Sequence, residues 1–541
     1  MKKIVVVLLI FSYMQVVSAQ NDRYHAQKPP KVVIGILVEN MRPDYVDRYW
    51  SKFGDEGFRK LYQNGVVAAN VKMALHTQNY ASGTATLFSG VYPSEHGIID
   101  ENWFDRPKGV ETGCITDDNF FTVGADSKTG NASPNKLMAY TVADNLKLHT
   151  MGKAKIFSVA MNPQSAIFAA GHAADAAWWF DQESGRMISS SYYVNTFPEW
   201  ARDFNMVSQG EKYSGRNWAL LHPENYYTES LPDNHPSEKG FADDSNMFPH
   251  ALSKLVKAAN SFNPVKATPF ANTIVKEFAL KLLEKEDVGN DDIPDLVTVV
   301  FSSMDYEYGL FGPASVEMQD LYLRLDEDIA ELINFAERKY GKPNVAFFLT
   351  ANTSASYPVS YMKEDFRLPV GDFMVEGAFA LLNSYLNLNF GEAKWIEHLS
   401  GQQVYLNHKL IEKNNVNPEE ISSKVAEFLV QFEGVKAAFP AHVLERDGLG
   451  NNPALAGINR SYMSGRSGDV LYVLNEGWQP AFKFKRVNYT DQTHIPMVFY
   501  GSGIKAAVVK NAHDAVDFAP TLSELLQIPA PDRSRGVKIF F

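Results

Sequence analysis

A three-layer α/β/α domain built on a mainly parallel sheet, with an inserted α+β region, is the fold class that the sequence predicts. Three observations predict it. Short β-branched runs recur along the chain without polar alternation, which marks strands buried on both faces. Helical patterns lie between these runs, and strands alternating with helices imply parallel pairing with helices on both faces of the sheet. Over about 374–473 the texture changes to alternating strands around one helix, as an insertion on the main sheet would show.

In chain order, Lys2 and Lys3 precede an apolar run from Ile4 to Val17, followed by small residues at Val17-Ser18-Ala19-Gln20 where a signal peptidase cuts. Residues 1–19 therefore read as a cleaved secretory signal and 20–541 as the domain. A membrane anchor needs about 20 apolar residues, and this run is shorter and contains Ser12, Tyr13 and Gln15. The mature chain is expected to have no transmembrane segment and to be periplasmic, outer-membrane-associated or extracellular.

After Pro29 and Pro30, Val32 to Val38 is the first buried strand. Lys155 to Ala160, Leu296 to Ser302, Val345 to Thr350 and Met497 to Tyr500 repeat the pattern. The stretch of about 178–246, rich in Tyr, Trp, Asn and Pro, reads as an irregular excursion, with Trp178-Trp179-Phe180 and Tyr226-Tyr227 as its buried anchors or, as the alternative, a sugar- or partner-binding platform. From about Ser315 to Tyr340, apolar residues at three- and four-residue steps predict a helix, with Gly341 as its stop. Inside the insertion, Gln403 to Leu410 reads as a strand. Asn417-Pro418-Glu419-Glu420 supplies a cap, a first-turn proline and a capping glutamate before Ile421, Val425 and Leu429.

The 541 residues carry 51 Lys+Arg against 63 Asp+Glu, and losing Lys2 and Lys3 with the leader takes the formal charge from −12 to −14. With no basic run, nucleic acid is not an expected partner, because attraction to phosphates dominates such binding. The single cysteine, Cys114, excludes internal disulfides and thiolate-rich metal sites. Thirteen histidines leave a His/Asp metal site open by composition.

In open parallel sheets, reactive groups sit at the carboxyl ends of strands. Glu39-Asn40-Met41-Arg42-Pro43-Asp44-Tyr45 follows the first strand, Gly83-Thr84-Ala85-Thr86 precedes Pro93-Ser94-Glu95-His96-Gly97, and Asp305-Tyr306 precedes Phe311-Gly312-Pro313. Leu349-Thr350-Ala351 closes a strand, and Arg466-Ser467-Gly468-Asp469, Thr493-His494-Ile495-Pro496 and Asp517-Phe518-Ala519-Pro520 follow. In this order and register the motifs resemble the alkaline phosphatase superfamily over nearly the whole mature chain. The resemblance is to the branch of bacterial phosphate-irrepressible alkaline phosphatases and type I nucleotide pyrophosphatase-phosphodiesterases.

That resemblance implies two zinc ions, Asp and His ligands, and a Thr or Ser nucleophile displacing an ester at phosphorus. Here the expected residues are largely replaced. The first-strand Asp ligand falls on Glu39, the nucleophile on Tyr80 and its motif His on Thr84. A phosphate-contacting Asn falls on Glu101, two residues before Trp103, and the Lys-Asp-Arg phosphate clamp on Asn162-Pro163-Gln164. Asp305 is retained, but its His partner is Gly309. The strand-end Asp-His pair is Asn352-Thr353, and the last His ligand is Lys485.

A zinc shell takes about four N, O or S ligands, which these residues do not supply twice. A phenol of pKa near about 10 needs help to ionise, and Glu101 repels a phosphoryl dianion. The expectation drawn is an exported pseudo-phosphatase: a non-catalytic binding or scaffold subunit partnered by another envelope protein, with no cofactor. An ion pair from Lys485 to Asp305 or Glu39 would replace a metal. The alternative is a phosphomonoester or phosphodiester hydrolase with a rebuilt metal site, such as a hard divalent cation at Glu39, Asp305 and Asn352. His96, His172 and His494 read as structural. Neither a Gly-x-Ser-x-Gly elbow nor a sulfatase Cys-x-Pro-x-Arg signature is present.

Overall fold

A computed structural model describes residues 28–241, 246–304, 311–446, 456–481 and 493–540. The leader, Asp305, Gly309 and Lys485 lie outside these residues, and so does the expected Lys485 ion pair.

The main sheet has ten strands among the described residues: β1 (Val32–Glu39), β2 (Val66–Ala68), β3 (Thr122–Val123), β4 (Ile156–Ala160), β5 (Ala176–Asp181), β6 (Arg186–Ser190), β7 (Asp295–Ser302), β8 (Val345–Thr350), β9 (Met497–Gly501) and β10 (Ala507–Val509). Their spatial order is β10-β2-β9-β8-β1-β7-β4-β5-β6-β3. The run β8-β1-β7-β4-β5 is parallel throughout, while β9 and β6 join it antiparallel. All eight residues of β1 are buried, as a strand covered on both faces requires. At Gly35 a side chain would not fit. Phe348 of β8, its register partner, places a ring carbon 2.1 Å from where a Cβ would stand.

Four helices matter for the site: α1 (Tyr80–Ser89), α2 (Pro163–Ala170), α3 (Pro269–Lys285) and α4 (Val316–Tyr340). The expected 315–340 helix is α4. Ser315 caps it by accepting from the Met318 N–H, Leu321, Leu325, Ile329 and Leu332 are buried, and Gly341 ends it at φ +82°.

Two local expectations are corrected. Trp178, Trp179 and Phe180 lie in β5 and pair with β4 and β6, so the irregular excursion starts beyond the main-sheet strands instead of at Trp178. The strand expected over Gln403 to Leu410 stops at Leu406, because the Asn407 side chain accepts from the Leu410 N–H and caps a helix over His408–Lys413. Around it, a separate core of Phe373, Leu382, Trp395, Ile421, Val425 and Tyr472 packs against a four-stranded sheet. Asn417 caps the helix Pro418–Leu429 by accepting from the Glu419 N–H. No helix among the described residues is long and apolar enough to cross a membrane.

Candidate functional site

Four adjacent parallel strands, β8, β1, β7 and β4, end side by side, and the residues just past their carboxyl ends meet the first turns of α1 and α2. Glu39 and Asn40 come from β1, Asn162 follows β4, Ser303 and Met304 follow β7, and Asn352 and Thr353 follow β8. Chain reversal at Asn40 uses φ +59°, a left-handed conformation that Asn tolerates better than most residues. Asn79 caps α1, accepting from the Ser82 N–H at 2.9 Å and donating to Asp100 Oδ1 at 2.9 Å. This link ties the segment carrying half-buried Glu101 to the start of α1. Gly83 lets α1 sit directly on the end of β8, since a Cβ there would stand 1.9 Å from the Asn352 carbonyl oxygen.

Two hydrogen-bonded networks fill this point. In the first, Asn162 Nδ2 donates to Glu39 Oε2 at 2.7 Å and Ser165 Oγ donates to Glu39 Oε1 at 2.5 Å. Asn352 Nδ2 donates to Ser165 Oγ at 3.1 Å and to Thr84 Oγ1 at 2.9 Å. Thr84 in turn donates to the Tyr80 carbonyl at 2.6 Å. In the second, Asn40 Nδ2 donates to Tyr80 Oη at 2.9 Å, while Thr353 Oγ1 donates to Asn40 Oδ1 at 2.7 Å and accepts from the Asn40 N–H at 3.2 Å. Glu39, Asn40, Tyr80, Thr84, Asn162, Ser165, Asn352 and Thr353 are all buried. A buried carboxylate is tolerated when donors meet its oxygens, and here two uncharged side chains do so.

The structure thus brings together six residues expected from sequence: Glu39, Tyr80, Thr84, Asn162, Asn352 and Thr353. Gln164 is half-buried on the first turn of α2. Sequence reasoning missed Ser165 and Asn40 as network members. The signal for Ser165 was its place in the first turn of a helix opened by Pro163, where a short hydroxyl faces the strand ends.

His96 is fully buried, its Nδ1 accepting from the Ile98 N–H at 3.1 Å and its Nε2 lying 3.1 Å from Thr86 Oγ1. Burial, reinforced by Arg466, lowers its pKa to about 3, so it is a neutral hydrogen-bonding residue. His172 lies 3.2 Å from Asp144 Oδ2, and although burial opposes its charge, the hydrogen bond and charge of Asp144 raise its pKa. His494 is exposed on a short strand paired to Val71 and Lys72.

The zinc pair implied by the resemblance does not fit the described donors. Glu39 offers one carboxylate whose two oxygens are engaged by Asn162 and Ser165, and Asn352 and Thr353 are neutral. No group of three or more His, Cys, Asp or Glu among the described residues could hold a metal. For the hard-cation option, Glu39 and Asn352 meet through the Ser165 hydroxyl, with the Asn352 amide nitrogen pointing at it. The third member of that set, Asp305, lies outside the described residues.

The family profile of type I phosphodiesterase / nucleotide pyrophosphatase matches residues 33–496. Alkaline phosphatase PafA of Elizabethkingia meningoseptica is 32% identical over 529 residues, spanning 96% of this chain and 95% of the relative. Alkaline phosphatase PhoV of Synechococcus elongatus is 31% identical over 512 residues, 94% of this chain and 92% of the relative. The crystal structure of wild-type PafA superposes with a TM-score of 0.89 at 31% identity, covering 95% of this chain and 99% of that one. These matches overturn the expectation of a non-catalytic scaffold subunit. That reading rested on the replaced ligand, nucleophile and clamp residues, and the relatives named alkaline phosphatases, at 32% and 31% identity over nearly their full length, argue against it.

Proposed function

The chain belongs to the type I phosphodiesterase / nucleotide pyrophosphatase family, and from that premise we propose that it is a hydrolase of phosphomonoesters or phosphodiesters working through a rebuilt site. The observation that carries the reading is convergence. Residues at the family's nucleophile, clamp and strand-end positions, separated by up to 313 residues in sequence, meet at one buried point beside the carboxyl ends of four parallel strands.

Tyr80 supplies the hydroxyl at the nucleophile position. A hydrogen bond from the Asn40 amide to its oxygen holds this hydroxyl at the strand ends. Reaction through it passes by a phosphotyrosyl ester: the bond from Tyr80 Oη to phosphorus forms as the bond to the ester oxygen breaks and the alcohol leaves. The phenol proton leaves with the alcohol; water then cleaves the bond from Tyr80 Oη to phosphorus, returning a proton to the phenol and releasing phosphate from a monoester or a phosphomonoester from a diester. Asn162 and Ser165 hold the Glu39 carboxyl group in place at the strand end. Because the described donors do not make a zinc shell, no step is assigned to a metal. The basic, apolar and small-residue pattern of 1–19 supports export before this activity is exercised.

The test is ester hydrolysis by the purified full chain, first stripped of metal and then with zinc, magnesium, manganese or calcium restored. Turnover of a phosphomonoester or diester in at least one of these conditions is the expected result. Absence of turnover in all of them overturns the reading.

A further inference from the structure

A cavity of about 180 Å³ opens beside the site, and Asn40, Ser303 and Met304 are among the residues that line it. Asn40 joins it to the chemistry, since the same amide donates to Tyr80 Oη at 2.9 Å. A phosphoryl group presented to that hydroxyl brings negative charge to a place where Asn162 and Gln164 are neutral and half-buried Glu101 is acidic. Holding it calls for a cation from another part of the fold.

Two arginines touch the cavity wall without lining the cavity. Arg42 donates to Asp44 at 2.7 Å and to the Ala355 carbonyl at 2.9 Å. Arg48 donates to Asp44 at 2.6 Å, to Tyr357 Oη at 2.8 Å and to the Pro313 carbonyl at 2.7 Å. Both guanidinium groups therefore brace the wall and share one carboxylate. Among the described lining residues Lys239 is the one cation, and Asp372, which is exposed, is the one anion.

The chain around Lys239 is anchored on both sides. The Leu231 N–H donates to the Ala314 carbonyl at 2.8 Å and the Glu238 N–H to the His235 carbonyl at 3.0 Å. Ser237 Oγ lies 2.8 Å from His235 Nδ1, and Asp233 Oδ2 accepts from the Phe248 N–H at 3.1 Å. Gly240 turns the chain at φ +62°, a conformation open to glycine. Ser237, Glu238 and Gly240 are buried, whereas Lys239 between them is exposed at the cavity. Lys239 makes no ion pair among the described residues, so its charge is not already engaged by a carboxylate there.

We infer that Lys239 binds the non-bridging phosphoryl oxygens of the ester at Tyr80, in place of the clamp that Asn162 and Gln164 do not provide. An ammonium on a flexible four-carbon stem acts as a movable point charge, so it can follow the phosphoryl group from the ester to the tyrosyl intermediate. Hydrogen bonds to ionised groups are about twice as strong as neutral ones, which makes one such contact matter to affinity. The inference rests on the hydrolase reading above.

The experiment titrates the full chain with inorganic phosphate by calorimetry, which does not depend on turnover, and separately measures kcat/KM for a chromogenic phosphate ester. Wild type is expected to bind phosphate. Lys239→Ala is expected to weaken that binding at least tenfold and to lower kcat/KM at least tenfold, and the exposure of the side chain leaves the fold intact. Lys239→Arg, which keeps the charge, is expected to stay within about threefold of wild type in both. Asp372→Asn, which removes the opposite charge from the same cavity, is expected not to weaken phosphate binding. Phosphate binding that is absent in wild type, unchanged in Lys239→Ala, lost equally in Lys239→Arg or weakened in Asp372→Asn overturns the assignment. If no ester is turned over, the hydrolase reading fails by itself, and the phosphate titration still decides whether Lys239 holds a phosphoryl anion.

Discussion

Replacing Ser165 by alanine tests whether the Glu39 network is a working part of the site's architecture. Ser165 is 0% exposed, and its hydroxyl both donates to Glu39 Oε1 and accepts from Asn352 Nδ2. Alanine at this position leaves a buried carboxylate oxygen without that donor. Hydrogen bonds to charged groups contribute about 1.5–3 kcal/mol, and a neutral one about 1 kcal/mol. Asn352 keeps its bond to Thr84, so the second loss is partial and the sum is about 2–4 kcal/mol. Urea unfolding followed by tryptophan fluorescence is a suitable assay, because Trp178 and Trp179 are buried in β5 beside β4. Ser165→Ala is expected to lower main-core stability by that amount. Glu39→Gln in the same background supplies a double-mutant cycle, and a coupling of more than about 1 kcal/mol is expected for groups in direct contact. Stability within about 0.5 kcal/mol of wild type, or strictly additive effects, would refute the idea that Ser165 compensates the Glu39 charge.

Gly83→Ala places a methyl where the Asn352 carbonyl oxygen stands, and overpacking of this kind costs about 1–3 kcal/mol or more. Lower main-core stability and at least a tenfold fall in ester hydrolysis are expected, read by the same unfolding assay and by initial rates. Glu238 is 8% exposed, and its two carboxylate oxygens have no hydrogen-bond partner among the described residues. Burial first, and then the neighbouring Glu317, push its pKa up to about 8 from a usual 4.5. The folded state then holds a proton that the unfolded chain has lost, so this group's stabilising effect is complete below about pH 4.5 and is lost as pH rises through about 8. The slope is at most about 1.4 kcal/mol per pH unit. Glu238→Gln is expected to flatten the stability profile between pH 5 and 8, measured by unfolding midpoints, and an unchanged profile would contradict the assignment.

The main sheet was legible in sequence because its parallel strands are buried on both faces. Val32–Glu39 and Val345–Thr350 carry continuous apolar runs that few other structures need. The Trp178-Trp179-Phe180 strand was not legible, since tryptophans among alanines resemble an anchored loop as much as a strand. At Asn407 the cap signal was present in the sequence, but the apolar pattern of Leu406 and Leu410 ran across it. Most site positions could be found through their flanking motifs. The bond from Ser165 to Glu39 could not, because its partners are 126 residues apart and meet through the adjacency of β1, β7 and β4. Some motif residues proved structural. Arg466 donates to the Gly97 and Lys136 carbonyls, and Asp469 accepts from Arg106, His408 and the Leu406 N–H, tying the 466–469 turn both to residues 97–136 and to the strand Gln403–Leu406. Function was the least legible part. Replaced ligands argued against catalysis, while the similarity to alkaline phosphatases over nearly the full chain argues for it.

The most direct measurement of the central claim is release of the alcohol from a chromogenic phosphate ester by the full-length chain and by Tyr80→Phe, under the metal condition that supports the fastest turnover. The account predicts saturable hydrolysis by the wild-type chain and at least a hundredfold loss in Tyr80→Phe, with the folded structure retained. Wild-type rates no greater than those of the buffer, or hydrolysis unchanged by removal of the Tyr80 hydroxyl, would contradict it.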